Sequence, residues 1–149
     1  MSNTETQIKT APISQEMWKR LEAEMEQTYV GLSFMYKGYK LTVERAKKSE
    51  SKTCLLVYID GVIKGAWGQL INKIPEDAPS ILKEVWNTSR MSCWTPTEIK
   101  KIEKVYGKRE AKKRFPNLHD KLVYVHPEFS KASVLCRKFK KLKGIEVVL

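Results

Sequence analysis

Two histidines and three cysteines are all that this chain of 149 residues offers for metal or thiol chemistry. Cys54, Cys93 and Cys136 are odd in number and far apart, and no CxxC or HExxH pairing exists. That excludes a disulfide framework and any zinc site written in local spacing. Together with the absence of a signal-peptide core near the start, it places the expected home in a reducing compartment, the cytoplasm. Long apolar runs are missing too. The longest, Leu55 to Ile59, is far short of the roughly 18–20 residues a membrane span needs, so no membrane partner is expected. Glycine-rich phosphate loops, a GxSxG elbow and paired carboxylates are also lacking. No cofactor, no catalytic residue and no metal ligand is therefore assigned, and the expectation is a protein that is not an enzyme. A pairing of Cys93 with His119 or His126 is the one catalytic alternative, and no local signature supports it.

Acidic residues are scarce in one region only. From Glu98 to Leu149 there are 15 Lys+Arg against 6 Asp+Glu, whereas residues 1–97 hold 13 against 11. Nearly all of the net charge of +11 thus falls in the last third. Such a one-sided charge invites a polyanion or an acidic protein.

The apolar pattern is that of one α+β domain. Residues 1–13 read as a polar tail and residues 14–149 as the domain, with a possible sub-boundary near 88–95. Ser14 suits an N-cap, followed by Met17, Trp18, Leu21 and Met25 on one helical face. Gly31 reads as the end of that helix or the loop after it. Tyr39, Leu41 and Val43 alternate with polar residues, and TCLLVYI (53–59) reads as a central strand. Asp60-Gly61 signals a type I′ hairpin, predicting that Tyr58 faces Ile63, Leu56 faces Gly65 and Cys54 faces Trp67. A three-stranded antiparallel meander over about 39–71 follows. Ile81, Leu82, Val85 and Trp86 form a short apolar stripe after Pro79, and Asn87–Thr95 reads as a loop. Thr95-Pro96-Thr97-Glu98 combines a capping box with proline at the first helical position. Ile99, Ile102, Val105 and Tyr106 are that helix's expected buried face, with Gly107 ending or kinking it. The C-terminus reads β-α-β: Leu122–Val125, a helix burying Ala132, Leu135, Cys136, Phe139 and Leu142, and Ile145–Leu149, joining or covering the sheet. Parallel neighbours in such a unit take a right-handed crossover.

The order α-β-β-β-α over the first 88 residues resembles that of double-stranded-RNA-binding domains. Such domains carry a basic cluster at the start of the second helix, where this chain has Glu76 and Asp77. The likeness is one of topology, without function.

The candidate binding residues are the cations on helical outer faces: Lys100, Lys101, Lys104, Lys108, Arg109, Lys112, Lys113 and Arg114, with Arg137, Lys138, Lys140 and Lys141. Phosphates need only cations on a rigid face. The last 52 residues hold 12 Lys but only 3 Arg, and bidentate base reading favours Arg. The expected partner is therefore nucleic-acid backbone, DNA or RNA, bound with little sequence readout. The runner-up is an inhibitor-type interaction protein, of the kind mobile elements encode, docking on an acidic protein surface. Plain solvation is the competing explanation of the same charge. Trp18, Trp67 and Trp86 sit on apolar stripes and read as core. Trp94 precedes the N-cap, where it either staples the helix entry or serves as an exposed anchor for a partner. Monomer and homodimer stay open, since the acidic outer face of the first helix could meet the basic side of another copy.

Overall fold

Lys37 and Gly38 both have positive φ, 49° and 83°, and they set the first hairpin of the domain. A two-residue turn of that hand matches the twist of the strands it joins. Strand β2 (Gly31–Tyr36) turns there into β3 (Tyr39–Lys47), and β3 pairs with β4 (Thr53–Ile59). The computed structural model that shows this describes residues 9–149. The α+β class and the antiparallel meander are as expected, but the meander runs over 31–59 rather than 39–71. Gly31 opens its first strand instead of closing a helix. In GLSFMY apolar residues stand on both faces, Leu32, Phe34 and Tyr36 on one and Met35 on the other, so no clean apolar–polar alternation marks the strand.

The Asp60-Gly61 turn does form, with φ of 50° and 76°. Its hairpin stops after the single bridge between Ile59 and Val62. The predicted facing of Tyr58 with Ile63, Leu56 with Gly65 and Cys54 with Trp67 does not occur. Gly65–Trp67 instead makes a short 3-10 turn that drops Trp67 into the core against Trp86, ring centroids 6.0 Å apart. Two glycines weaken a strand here, and the apolar gain of burying a tryptophan outweighs continued pairing.

The vacated edge of β4 is taken by β7 (Glu128–Phe129), and the sheet order is β1-β8-β2-β3-β4-β7. Strand β1 (Thr10–Pro12) pairs with β8 (Glu146–Val148), so residues 10–12 of the expected tail are part of the sheet. Residues 1–8 of that tail lie outside the described residues. The C-terminal β7–α4–β8 unit joins the sheet, but its strands are not neighbours: β4, β3 and β2 stand between them. The strand over Leu122–Val125 belongs elsewhere. As β6 (Lys121–His126) it pairs with β5 (Asn87–Ser92) in a separate ribbon, where a loop was expected. No alternation in NTSRMS announces a strand.

Helices α1 (Gln15–Met25), capped by Ser14 Oγ accepting from Met17 N–H, and α4 (Ala132–Lys140) lie against one sheet face. Trp18, Leu21 and Met25 meet Leu135, Cys136 and Phe139 over Phe34, Leu41, Val43, Leu55 and Val57. Phe34 is stacked 6.0 Å from Trp18 and edge-on 5.4 Å from Phe139. Helix α2 (Leu82–Val85) completes this layer and delivers Trp86 to the core. Trp86 Nε1 donates to the Val57 carbonyl at 3.0 Å, fully buried. The Trp67 indole N–H is buried with no partner.

That contrast makes a test. Trp86→Phe leaves a buried carbonyl unpaired and is expected to cost about 1–3 kcal/mol more than Trp67→Phe, which forfeits no hydrogen bond. Urea denaturation of both variants measures it, and equal costs would contradict the assignment.

Candidate nucleic-acid interface

Immediately beyond Trp86 the chain leaves the main core. Strand β5 leads through Ser92 into α3 (Pro96–Arg114), and the chain returns through Leu118 to β6. Residues 87–126 therefore form one arm. Its stem is the β5–β6 ribbon, extended by the bridge between Leu70 and Tyr124. The capping box at its helical entry is complete, Thr95 and Glu98 bonding each other's backbone N–H at 3.2 Å.

A straight helix of 19 residues would be about 28 Å long. The ends of α3 meet instead: Trp94, just before the N-cap, packs edge-on against Phe115, just after the last turn, at 5.4 Å. The bend is at Gly107, with φ 77° and ψ 156°, a conformation that glycine alone adopts readily. Phe115 also lies 6.2 Å from Tyr106, and the Arg114 guanidinium sits 4.8 Å over the Tyr106 ring. Trp94 Nε1 donates to Asn117 Oδ1 at 3.3 Å. Trp94 thus ties the entrance of α3 to its exit, a staple between the two ends of the helix. The kink expected at Gly107 is a fold-back of two helical halves, 96–106 and 108–114.

The expected buried face of α3 is only partly realised. Ile99 and Ile102 are half-buried, but Val105 is 74% and Tyr106 39% exposed, because the bend carries them to the tip. Ala111 is the one α3 residue fully buried, with Leu118 close after it. Among the described residues α3 makes no extensive packing contact with another helix or strand.

All eight predicted cations of α3 are exposed: Lys100, Lys101, Lys104, Lys108, Arg109, Lys112, Lys113 and Arg114. Among the described residues only Arg114 pairs with a carboxylate, Glu110 at 3.2 Å. Arg90 and Lys121, exposed at the outer part of the ribbon, add to the same arm; only the strand pairing discloses them. Arg137, Lys138, Lys140 and Lys141 lie apart from these, on a helix that packs against α1 and α2. Lys138 is half-buried, and burial, with Lys141 next to it, lowers its pKa. Lys140 shares a cavity with Trp18 and Lys19 of α1. Glu22 of α1 and Glu26 just after it act electrostatically on Cys136, as Lys140 does, so these two carboxylates and Lys140 share one neighbourhood. The Cys136 thiol is pushed up to about 11, first by burial, and its Sγ lies 3.6 Å from Met25 Sδ: a packing residue, as expected.

The two histidines are separated. His119 Nε2 lies 3.9 Å from Glu103 in the bend of the arm. His126 ends β6, where its Nε2 is 2.6 Å from Ser89 Oγ and its ring 5.3 Å from Tyr124. Beside them a cavity is lined by Lys48, Cys54, Asn87 and Glu128, and Glu128 is paired with Lys48 at 3.3 Å. Burial lowers the His126 pKa, against the upward pull of Glu128. Cys93 is half-buried where the ribbon ends, its N–H bonded to the Asp120 carbonyl. Among the described residues no three His, Cys, Asp or Glu side chains stand together as a metal site. No helix among them is long and apolar enough to cross a membrane.

No protein-family model, no curated protein and no solved structure matches this chain.

Two outcomes test this description. Trp94→Ala is expected to release the ends of α3, so that hydrogen exchange accelerates over residues 96–118 and stays unchanged in β2–β4; uniform protection would refute the staple. Protonating His126 costs more in the folded chain than in the unfolded one, so stability falls as pH drops below the ordinary imidazole value of about 6.5. Denaturation midpoints compared above and below that pH should show the drop, and His126→Gln should reduce it.

Proposed function

We infer that the arm is a binding element for nucleic-acid backbone. The observation that carries this reading is the set of seven exposed α3 cations that have no carboxylate partner among the described residues, on a helix without extensive packing against another helix or strand. A helix polar nearly all round, with its cations unpaired, gains little from its own packing and is suited to an external partner. Lys outnumbers Arg six to two among the eight α3 cations, which favours phosphate contact over base readout. The α4 cations contribute less, since carboxylates of α1 oppose them. Attraction of this kind is sequence-tolerant and salt-dependent.

A second reading draws on Val105, Tyr106, Met91 and Leu122. These exposed apolar side chains stand on the same arm, and Met91 and Leu122 are cross-strand partners. An apolar group ringed by cations also suits an acidic protein surface, with the arm inserted as an inhibitor would be.

Binding of duplex DNA and of RNA to the full chain across a salt series decides between them. About five phosphate contacts give a log–log slope of about −4 to −5. Lys100→Gln with Lys101→Gln should reduce the magnitude of that slope by about two, while Arg137→Gln with Lys141→Gln should change affinity by no more than about twofold. A flat salt response, or no binding at low salt, would defeat the nucleic-acid reading.

A further inference from the structure

The bend of α3 does more than present a basic face. It borders an open hollow of about 510 Å3 lined by Glu103 from the first half, Lys108, Arg109 and Lys112 from the second, and His119 from the segment beyond. We propose that this cavity receives the terminal phosphate of a nucleic-acid strand, an inference that rests on the backbone-binding reading above and names the group the arm takes hold of.

Three features of the cavity separate an end group from an internal phosphate. The first is convergence. Lys108, Arg109 and Lys112 fall at i, i+1 and i+4 of one short helix, and none of the three has a carboxylate partner among the described residues. A terminal phosphate monoester carries between one and a half and two charges near neutral pH and presents three acceptor oxygens. An internal diester carries one charge and lies on the outside of a rod. Several donors meeting in a hollow match the first; cations spread along a convex face match the second. The second feature is size. The hollow, about 510 Å3 and open to solvent on one side, has room for a terminal nucleotide with its phosphate. The third is Glu103. Its side chain is 19% exposed and paired toward His119, leaving a carboxylate on the cavity wall. A run of phosphates threading past it would meet like-charge repulsion, whereas one end group held on the opposite, cationic wall need not.

Either strand end can supply this chemistry, and the test separates them. Fluorescence anisotropy is measured with the full chain and one single-stranded DNA sequence in three forms: 5′-phosphorylated, 3′-phosphorylated, and hydroxyl at both ends. One phosphorylated form should bind about tenfold more tightly than the hydroxyl form, the effect of one extra charge-assisted hydrogen-bonded group. Lys108→Gln with Lys112→Gln should bring that ratio to about one. Lys100→Gln with Lys101→Gln, outside the cavity, should weaken all three forms and keep the ratio. Should the double variant in the cavity fail to fold by circular dichroism, Arg109→Gln takes its place. Equal, salt-dependent binding of all three forms overturns the end-group proposal and leaves the backbone reading standing. Absence of binding to any form at low salt overturns both. A ratio that survives both cavity substitutions also overturns it.

Discussion

The arm can act as a presented element only if its root is fixed, and one residue fixes it. Trp86 is the last residue before β5, fully buried, and its indole N–H is bonded to the carbonyl of Val57 on the central strand β4. A buried indole at this place contributes its apolar area to the core and ties the direction of the following strand to the sheet. Val57 N–H in turn is bonded to the carbonyl of Pro127, the residue just after β6. Both strands of the stem therefore leave from the same residue of β4. Asn87 adds a third tie, its side-chain amide donating to the Glu128 carbonyl at 3.1 Å. Three hydrogen bonds within a few residues of each other orient a segment of forty.

Beyond that root the arm has little core of its own. Ala111 and Leu118 are its fully buried apolar residues between β5 and β6, and the aromatic set of Trp94, Tyr106 and Phe115 is only partly covered. So small an apolar yield offsets little of the entropy of ordering some twenty-five residues. The staple between Trp94 and Phe115 thus bears on more than the helix entry: it closes the loop that the bend at Gly107 opens. The arm's cations repel one another, and a polyanion would relieve that repulsion as it binds.

The parts of this architecture that could be read from the sequence are those coded by contiguous residues. Ser14 and the 95–98 capping box are local hydrogen-bond chemistry, and the structure has both. The strand TCLLVYI and the apolar face of α4 are runs or periods, and both form. What was not legible depends on competition between distant segments. Asp60-Gly61 codes its turn correctly, yet the hairpin after it loses to Trp67 packing on Trp86 and to β7 claiming the edge of β4. The ribbon of β5 with β6 pairs residues about thirty to forty apart, and its first strand, NTSRMS, is polar without alternation. The basic residues of the candidate interface were visible as composition. Their division into an arm and a separate helix was not, because it turns on which helix packs against α1. Gly107 was visible as a break, but its consequence required the meeting of Trp94 with Phe115.

That division changes what the net charge means. The last third of the chain holds nearly all of it, and as composition it reads as one basic side. In three dimensions the cations of α4 lie on the helix that packs against α1, where Glu22 and Glu26 act on the same Cys136 thiol as Lys140, so part of their field is opposed. The cations of α3 have three acidic residues on their own helix, one engaged with Arg114 and one facing His119, and little else near them. A field that is opposed steers weakly, whereas one projected from an arm reaches a partner before contact. The fold thus concentrates the asymmetry of the sequence into roughly forty residues. The bend at Gly107 then places part of it around an open hollow rather than along a straight helical face.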